Sequence, residues 1–252
     1  MSTVASVLTT KDGQGPSTFA LSLAWTAAEE RRVMLVDADM SGTGNLADLI
    51  ALDFGSRGVG NLFGTLAISA LALEQQAVIV RQQPRLRVVP GLQGFCGPGV
   101  AELLPRLKRA LESLPDELVI LDLGAALAHP RQESPRLAAQ AICEISHRVF
   151  VVVQDSPARL VKSIQVLKTA QLPQAELVLL ETRRGVLRER ITQTLAEHLP
   201  GLPISAVLPW DSRQAQRAED AAKPPTQPAL LRSLNLLPTA STGSSPFRER
   251  TK

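Results

Sequence analysis

Several residues near the start and middle of the chain are of types, and at spacings, that could hold a phosphate and a divalent cation together. The segment VASVLTTKDGQGPSTFALSLAW places Gly13 and Gly15 in a loop after an apolar run, and Ser17 and Thr18 at the opening of a helix. Glycines let the backbone curl around an anion, and a helix N-terminus offers free N–H groups and the positive end of its dipole. A hydroxyl at Ser17 or Thr18 could ligate Mg²⁺. Carboxylates complete the pattern: a second apolar run ends in Val36-Asp37-Ala38-Asp39, and a third, LVILD, ends at Asp122. Carboxylates at strand ends beside one glycine loop make a coherent Mg²⁺–phosphate site.

Two other readings fit the same residues. An ordinary glycine turn capped by Ser17 would show the same bare pattern. Gly13-x-Gly15 followed by Asp37 at the end of a second strand also fits a dinucleotide-binding turn, with Asp37 on a ribose hydroxyl. In that fingerprint Thr18 stands where a third glycine belongs, and Lys11 and Asp122 have no role.

Other chemistries find little support. There is no GxSxG, no HExxH and no cysteine–histidine pairing suggestive of a nucleophile. Cys96 and Cys143 form no CxxC and fit no metal spacing, so they read as buried thiols of a reducing cytoplasm. His129, His147 and His198 are scattered. A basic cluster, TRRGVLRER, carries Arg183, Arg184, Arg188 and Arg190 at a helix start. It could hold DNA non-specifically, but a solvated helix face is the commoner explanation. The net charge of +3 is too mild to announce a nucleic-acid partner.

The elements that must position these residues follow from apolar patterning. Strand-length runs lie near residues 3–10, 32–39, 85–91, 117–124, 148–154, 176–181 and 204–209, several apolar on both faces, as in a covered parallel sheet. Between them, helical spacing covers residues 17–30, 100–114 and 157–169. The alternation predicts an α/β fold, a doubly wound and mostly parallel sheet with helices on both faces. The 252 residues suit one such domain, and with 3% aromatics and no tyrosine its core must be built from Leu, Val, Ile and Ala. Residues 1–223 are assigned to this domain. Residues 224–252, rich in Pro, Ser and Thr, are read as a mostly disordered tail in which PALLRSLNLL is a short docking segment or, alternatively, part of a membrane-binding helix. There is no signal peptide and no apolar run of membrane-spanning length, so a cytoplasmic location is expected.

KDGQGPST followed by RRVMLVDADMSGTGNL resembles the ParA/MinD family of P-loop ATPases, whose loop reads K-G-G-x-G-K-[ST]-T. Lys11 matches the family's signature lysine, and Gly13, Gly15, Ser17 and Thr18 match their positions. VDADMSGTGNL looks like the second motif, and VILDLG like the Walker B strand. Weaker echoes, in RLRVVPGLQGF, VVVQDSPARLVKSIQVL and VLPWDSRQAQRAEDAAKPP, extend the resemblance over residues 1–225. It implies ATP and Mg²⁺ as cofactors, with Ser17 and Asp122 serving the metal, Asp39 positioning the attacking water, and Lys11 reaching across a homodimer to the partner's phosphates. It further implies a protein partner within an assembly machinery and recruitment to a membrane-associated complex.

Three positions depart from the pattern. Asp12 replaces the first glycine, and Glu181 stands where the family carries an adenine-reading Asn. Pro16 replaces the second lysine. Proline removes both the lysine's charge and a backbone N–H that would face the phosphate, yet it suits the first turn of a helix. A degenerate loop of this kind is similar to TadZ/CpaE-like proteins of pilus or secretion assembly and BcsQ-like proteins of cellulose synthesis. The resemblance therefore implies a positioning or assembly factor with impaired nucleotide chemistry. An active Mg-ATPase using Lys11 and a nucleotide-free scaffold are the alternatives.

Overall fold

The computed structural model describes residues 2–40, 46–63, 68–92, 100–127, 134–181, 188–209 and 234. Eight strands form one sheet: β1 (Thr3–Thr9), β2 (Val33–Asp37), β3 (Val78–Val80), β4 (Gln83–Val89), β5 (Leu118–Asp122), β6 (Arg148–Gln154), β7 (Ala175–Leu180) and β8 (Ile204–Leu208). Their spatial order is β3-β4-β2-β5-β1-β6-β7-β8. Every neighbouring pair is parallel except β3–β4, which is antiparallel. The doubly wound, mostly parallel sheet expected from the apolar runs is the fold observed.

Helices cover both faces. On one lies α1 (Pro16–Ala27), packed over β1, β2 and β5. It is buried nearly all round, through Phe19, Leu21, Leu23 and Trp25, because the β-rich layer and flanking segments enclose it. The short α2 (Leu46–Leu49) touches it. The opposite face carries α3 (Ala70–Gln76), α4 (Val100–Glu112), α5 (Pro135–Ile145), α6 (Pro157–Ala170) and α7 (Arg188–His198). Side chains of each central strand alternate between the two layers. In β6, Phe150 and Val152 join the α1 layer, while Val149, Val151 and Val153 join the other. This two-sided burial is why those runs read as continuously apolar.

Among the described residues, Leu234 alone represents the expected tail, and it is buried in the α1-side layer. Its carbonyl accepts a bond from Arg148 Nη1. Arg148 also pairs with Glu176 through Nε and Nη2 and stacks over Phe150, 4.8 Å from the ring centroid. The rest of 224–252 lies outside the described residues, as do Cys96 and His129. Cys143 is half-buried rather than buried as expected, packed against the margin of the core on that face. No helix among the described residues is long and apolar enough to cross a membrane.

Candidate functional site

β1 ends at Thr9, and the chain turns through residues 10–15 into α1. Gly15 caps the helix in the left-handed region (φ 81°, ψ 26°), a conformation glycine adopts without penalty, and Gly13 shares it (φ 72°). Pro16 is the first helical residue, where its missing N–H breaks no helical bond. Ser17 and Thr18 are half-buried at the helix start, and Lys11 and Asp12 are exposed on the loop. A Cβ at Gly15 would stand 3.1 Å from Leu180 Cδ1, so the end of β7 abuts the loop. That contact brings Glu181 alongside, its N–H donating to Leu208 O at 2.9 Å.

The loop is tied from within and without. Gln14 is fully buried, with Oε1 2.8 Å from Thr9 Oγ1, which also lies 2.9 Å from Val152 O. Thr10 Oγ1 and Ser163 Oγ on α6 are 2.6 Å apart. Gly13 O accepts from Gln154 Nε2 at 3.2 Å and from Arg159 Nη1 at 3.1 Å. Gln14, Gln154 and Arg159 carry no motif that marks them in sequence, since their roles arise from the β6–α6 turn lying against the loop.

The carboxylates converge because β5 is inserted between β1 and β2, with Asp37 and Asp122 as register partners. Relative exposures are 1% for Asp37, 7% for Asp39 and 0% for Asp122, so all three are withdrawn from water. Asp37 accepts from the N–H groups of Asp39 and Leu46, both at 3.3 Å. Asp122 Oδ1 accepts from Gly124 N–H at 3.1 Å. Gly124 is left-handed (φ 53°), and a Cβ there would lie 2.4 Å from Asp39 Cγ, so glycine leaves the space that the Asp39 carboxyl fills.

Burial raises the pKa of Asp37 well above the carboxylate range, helped by the charges of Asp122 and Asp39 and opposed by the two backbone donors. Burial likewise pushes Asp122 up to about 7; the nearby Ser17 hydroxyl and Gly124 N–H oppose it, and the Asp39 charge adds to it.

This arrangement fits Mg²⁺ better than it fits phosphate. Asp122 Oδ2 is buried and makes no hydrogen bond among the described residues, and the Ser17 hydroxyl is beside the same carboxyl. Those are hard oxygen ligands of the kind Mg²⁺ takes. Among the described residues no group of three or more His, Cys, Asp or Glu could hold a metal by itself, so an ion here would complete its shell with water and phosphate oxygens. On the phosphate side the glycine loop and helix start are present, while Pro16 brings neither N–H nor charge.

The strand order excludes the dinucleotide-binding alternative. That fold sets its first two strands side by side. Here β5 separates them, and both Asp37 oxygens are engaged by backbone in the interior. Of the basic cluster, Arg183 and Arg184 lie outside the described residues, Arg188 opens α7, and Arg190 is exposed on it.

No protein-family model and no curated protein sequence matches the chain. Solved structures do match it. A ParA family ATPase from Chlorobium tepidum TLS is similar with a TM-score of 0.70 at 17% identity, over 93% of this chain and 97% of that one. The septum site-determining protein MinD of Pyrococcus horikoshii OT3, complexed with Mg-ADP, gives 0.66 at 17% identity, over 94% of both chains. MinD in the MinC:MinD cell division complex of Aquifex aeolicus gives 0.71 at 12% identity, over 93% and 94%. At such identities the likeness is one of fold. The chain has the ParA/MinD fold over nearly its whole length, as its motifs led one to expect.

Proposed function

We propose that the chain is a positioning or assembly factor of ParA/MinD type whose Mg-nucleotide site is weakened at the phosphate loop. The observation that carries this reading is Pro16 at the first position of α1, within a loop whose glycine geometry and neighbouring carboxylates are otherwise kept. Losing a charge-assisted contact and an N–H to phosphate costs on the order of tenfold to a hundredfold in affinity. Ser17 and Asp122 would hold Mg²⁺, which when bound neutralises phosphate charge. Asp39 would orient a water, and Thr18 and the Gly13–Gly15 backbone would line the phosphates. Lys11, exposed on the loop, is free in direction to face a second copy of the chain. Glu181, beside the loop through Leu180, would meet the base.

The relatives lend the rest. One is a site-determining protein with Mg-ADP and another is complexed with MinC. By analogy this chain would act as a homodimer that docks a protein partner in the cytoplasm, serving pilus or secretion, cellulose-synthesis or partition machinery at a membrane-associated complex. Non-specific DNA contact through Arg183, Arg184, Arg188 and Arg190 would show as affinity falling steeply with salt.

Sedimentation of the full chain with and without millimolar Mg-ATP tests the reading. A dimer that forms with nucleotide and is lost in Lys11→Ala supports it. A monomer under both conditions overturns it. Pro16 at the helix start and Glu181 beside the loop favour a second reading, a scaffold that binds no nucleotide, since the proline offers a phosphate neither N–H nor charge.

A further inference from the structure

We propose that Arg159 is the cation that makes this loop competent for anions, acting from behind it in place of the charge Pro16 lacks. The inference rests on the reading of the loop as a phosphate site. Arg159 lies in the first turn of α6, and its Nη1 donates to Gly13 O at 3.1 Å. Gln154 Nε2 donates to the same oxygen at 3.2 Å, and Gln154 Oε1 accepts from Arg159 Nη1. Both lone pairs of that carbonyl are thereby used.

The consequence for the loop follows from peptide geometry. No peptide here is cis, so the Gly13–Gln14 unit is planar and trans, and the Gln14 N–H points opposite to the Gly13 carbonyl. With the carbonyl fixed toward Arg159, that N–H is directed away from α6. Hydrogen bonds to a carbonyl polarise its peptide and strengthen the N–H as a donor. Arg159 thus orients and sharpens a loop donor and adds a full positive charge close behind it. The face of α6 is held there by a second tie one turn on, between Thr10 and Ser163 hydroxyls 2.6 Å apart.

The placement is otherwise unfavourable. A cation in the first turn opposes the helix dipole, that turn contains no acidic residue, and Ser156 makes no capping bond. An anion on the far side of the loop would give the charge a partner. The ligand class is a polyphosphate, either nucleoside triphosphate or pyrophosphate, and Arg159 is a positioning residue rather than a catalytic one.

The test is calorimetric titration of the full chain with Mg-ATP and, separately, with Mg-pyrophosphate. Arg159→Gln keeps a neutral donor and removes the charge. Arg159→Lys keeps the charge, and Lys162→Gln removes an exposed charge from the same helix. Affinity is expected to fall about tenfold or more in Arg159→Gln, to stay within about threefold in Arg159→Lys, and to be unchanged in Lys162→Gln. All variants should melt as wild type does. If Arg159→Gln binds as tightly as wild type, or Arg159→Lys is as weak as Arg159→Gln, the inference fails and the loop reading stands. If wild type binds neither ligand, both fail.

Discussion

Replacing Asp122 by asparagine should stabilise the ligand-free protein, and by more as pH rises. Asp122 sits at the end of β5 with no exposure, its pKa lifted from 3.8 to about 7 by burial against the opposing effect of Ser17 and Gly124 N–H. A carboxyl whose folded pKa is raised is harmless while protonated. Its contribution is intact below pH 3.8 and is lost as pH climbs to about 7, because the unfolded chain ionises first. At about 1.4 kcal/mol per pH unit, that interval corresponds to ~4 kcal/mol. Between pH 5 and pH 8 the remaining part is about 2–3 kcal/mol. Asparagine brings its own cost, an amide beside Asp39, but that cost does not titrate. The readout is therefore the difference in urea unfolding free energy between Asp122→Asn and wild type, measured at both pH values without magnesium. It should move by about 2–3 kcal/mol in favour of the variant on going to pH 8. Asp37, raised by burial and by the Asp122 charge, adds to the same trend. A difference that does not change with pH would refute the claim that a buried carboxylate is held under strain at this site.

Two further perturbations probe its surroundings. Gly124→Ala would place a Cβ 2.4 Å from Asp39 Cγ on a left-handed backbone, and thermal unfolding should show about 2–3 kcal/mol lost. Arg148→Ala removes the pairing with Glu176, the stacking on Phe150 and the bond to Leu234 O, at a cost of about 2–3 kcal/mol near neutral pH. Burial pushes the Glu176 carboxyl up, but the Arg148 and Ser205 hydrogen bonds and the Arg148 charge hold it below its usual value of 4.5. That stabilisation exists above 4.5 and is lost as pH falls through the lowered value, so denaturation of the two proteins in acid should converge.

The strands were legible where burial on both faces left continuous apolar runs. All seven runs named from sequence correspond to strands, from Thr3–Thr9 to Ile204–Leu208. The strand that escaped, Val78–Val80, is three residues long, antiparallel and at the sheet edge, with Ile79 59% exposed, so neither length nor burial marks it. Helix α5 was not named from sequence: its buried face, Ala138, Ala139, Ala141, Ile142 and Ile145, has helical spacing, but three of those residues are alanines, which occur as readily on exposed helix surfaces. The glycine turn between β1 and α1 was legible through the spacing of Gly13, Gly15 and Ser17. The insertion of β5 between β1 and β2 was not, because pairing partners are far apart in sequence. With it went the approach of Asp37 to Asp122 and the exclusion of a dinucleotide fold. The ties from Gln154 and Arg159 to Gly13 join residues 141 and 146 positions apart and could not be read from a local pattern.

The central claim is that this loop keeps the architecture of a phosphate site and is weakened at Pro16. Calorimetry of Mg-ATP binding to wild type and Pro16→Lys tests it directly. The lysine returns a charge and an N–H at the first helical position, and affinity should rise at least about tenfold over a weak wild-type value. Equal affinity in the two proteins, whether tight or undetectable, would contradict the account.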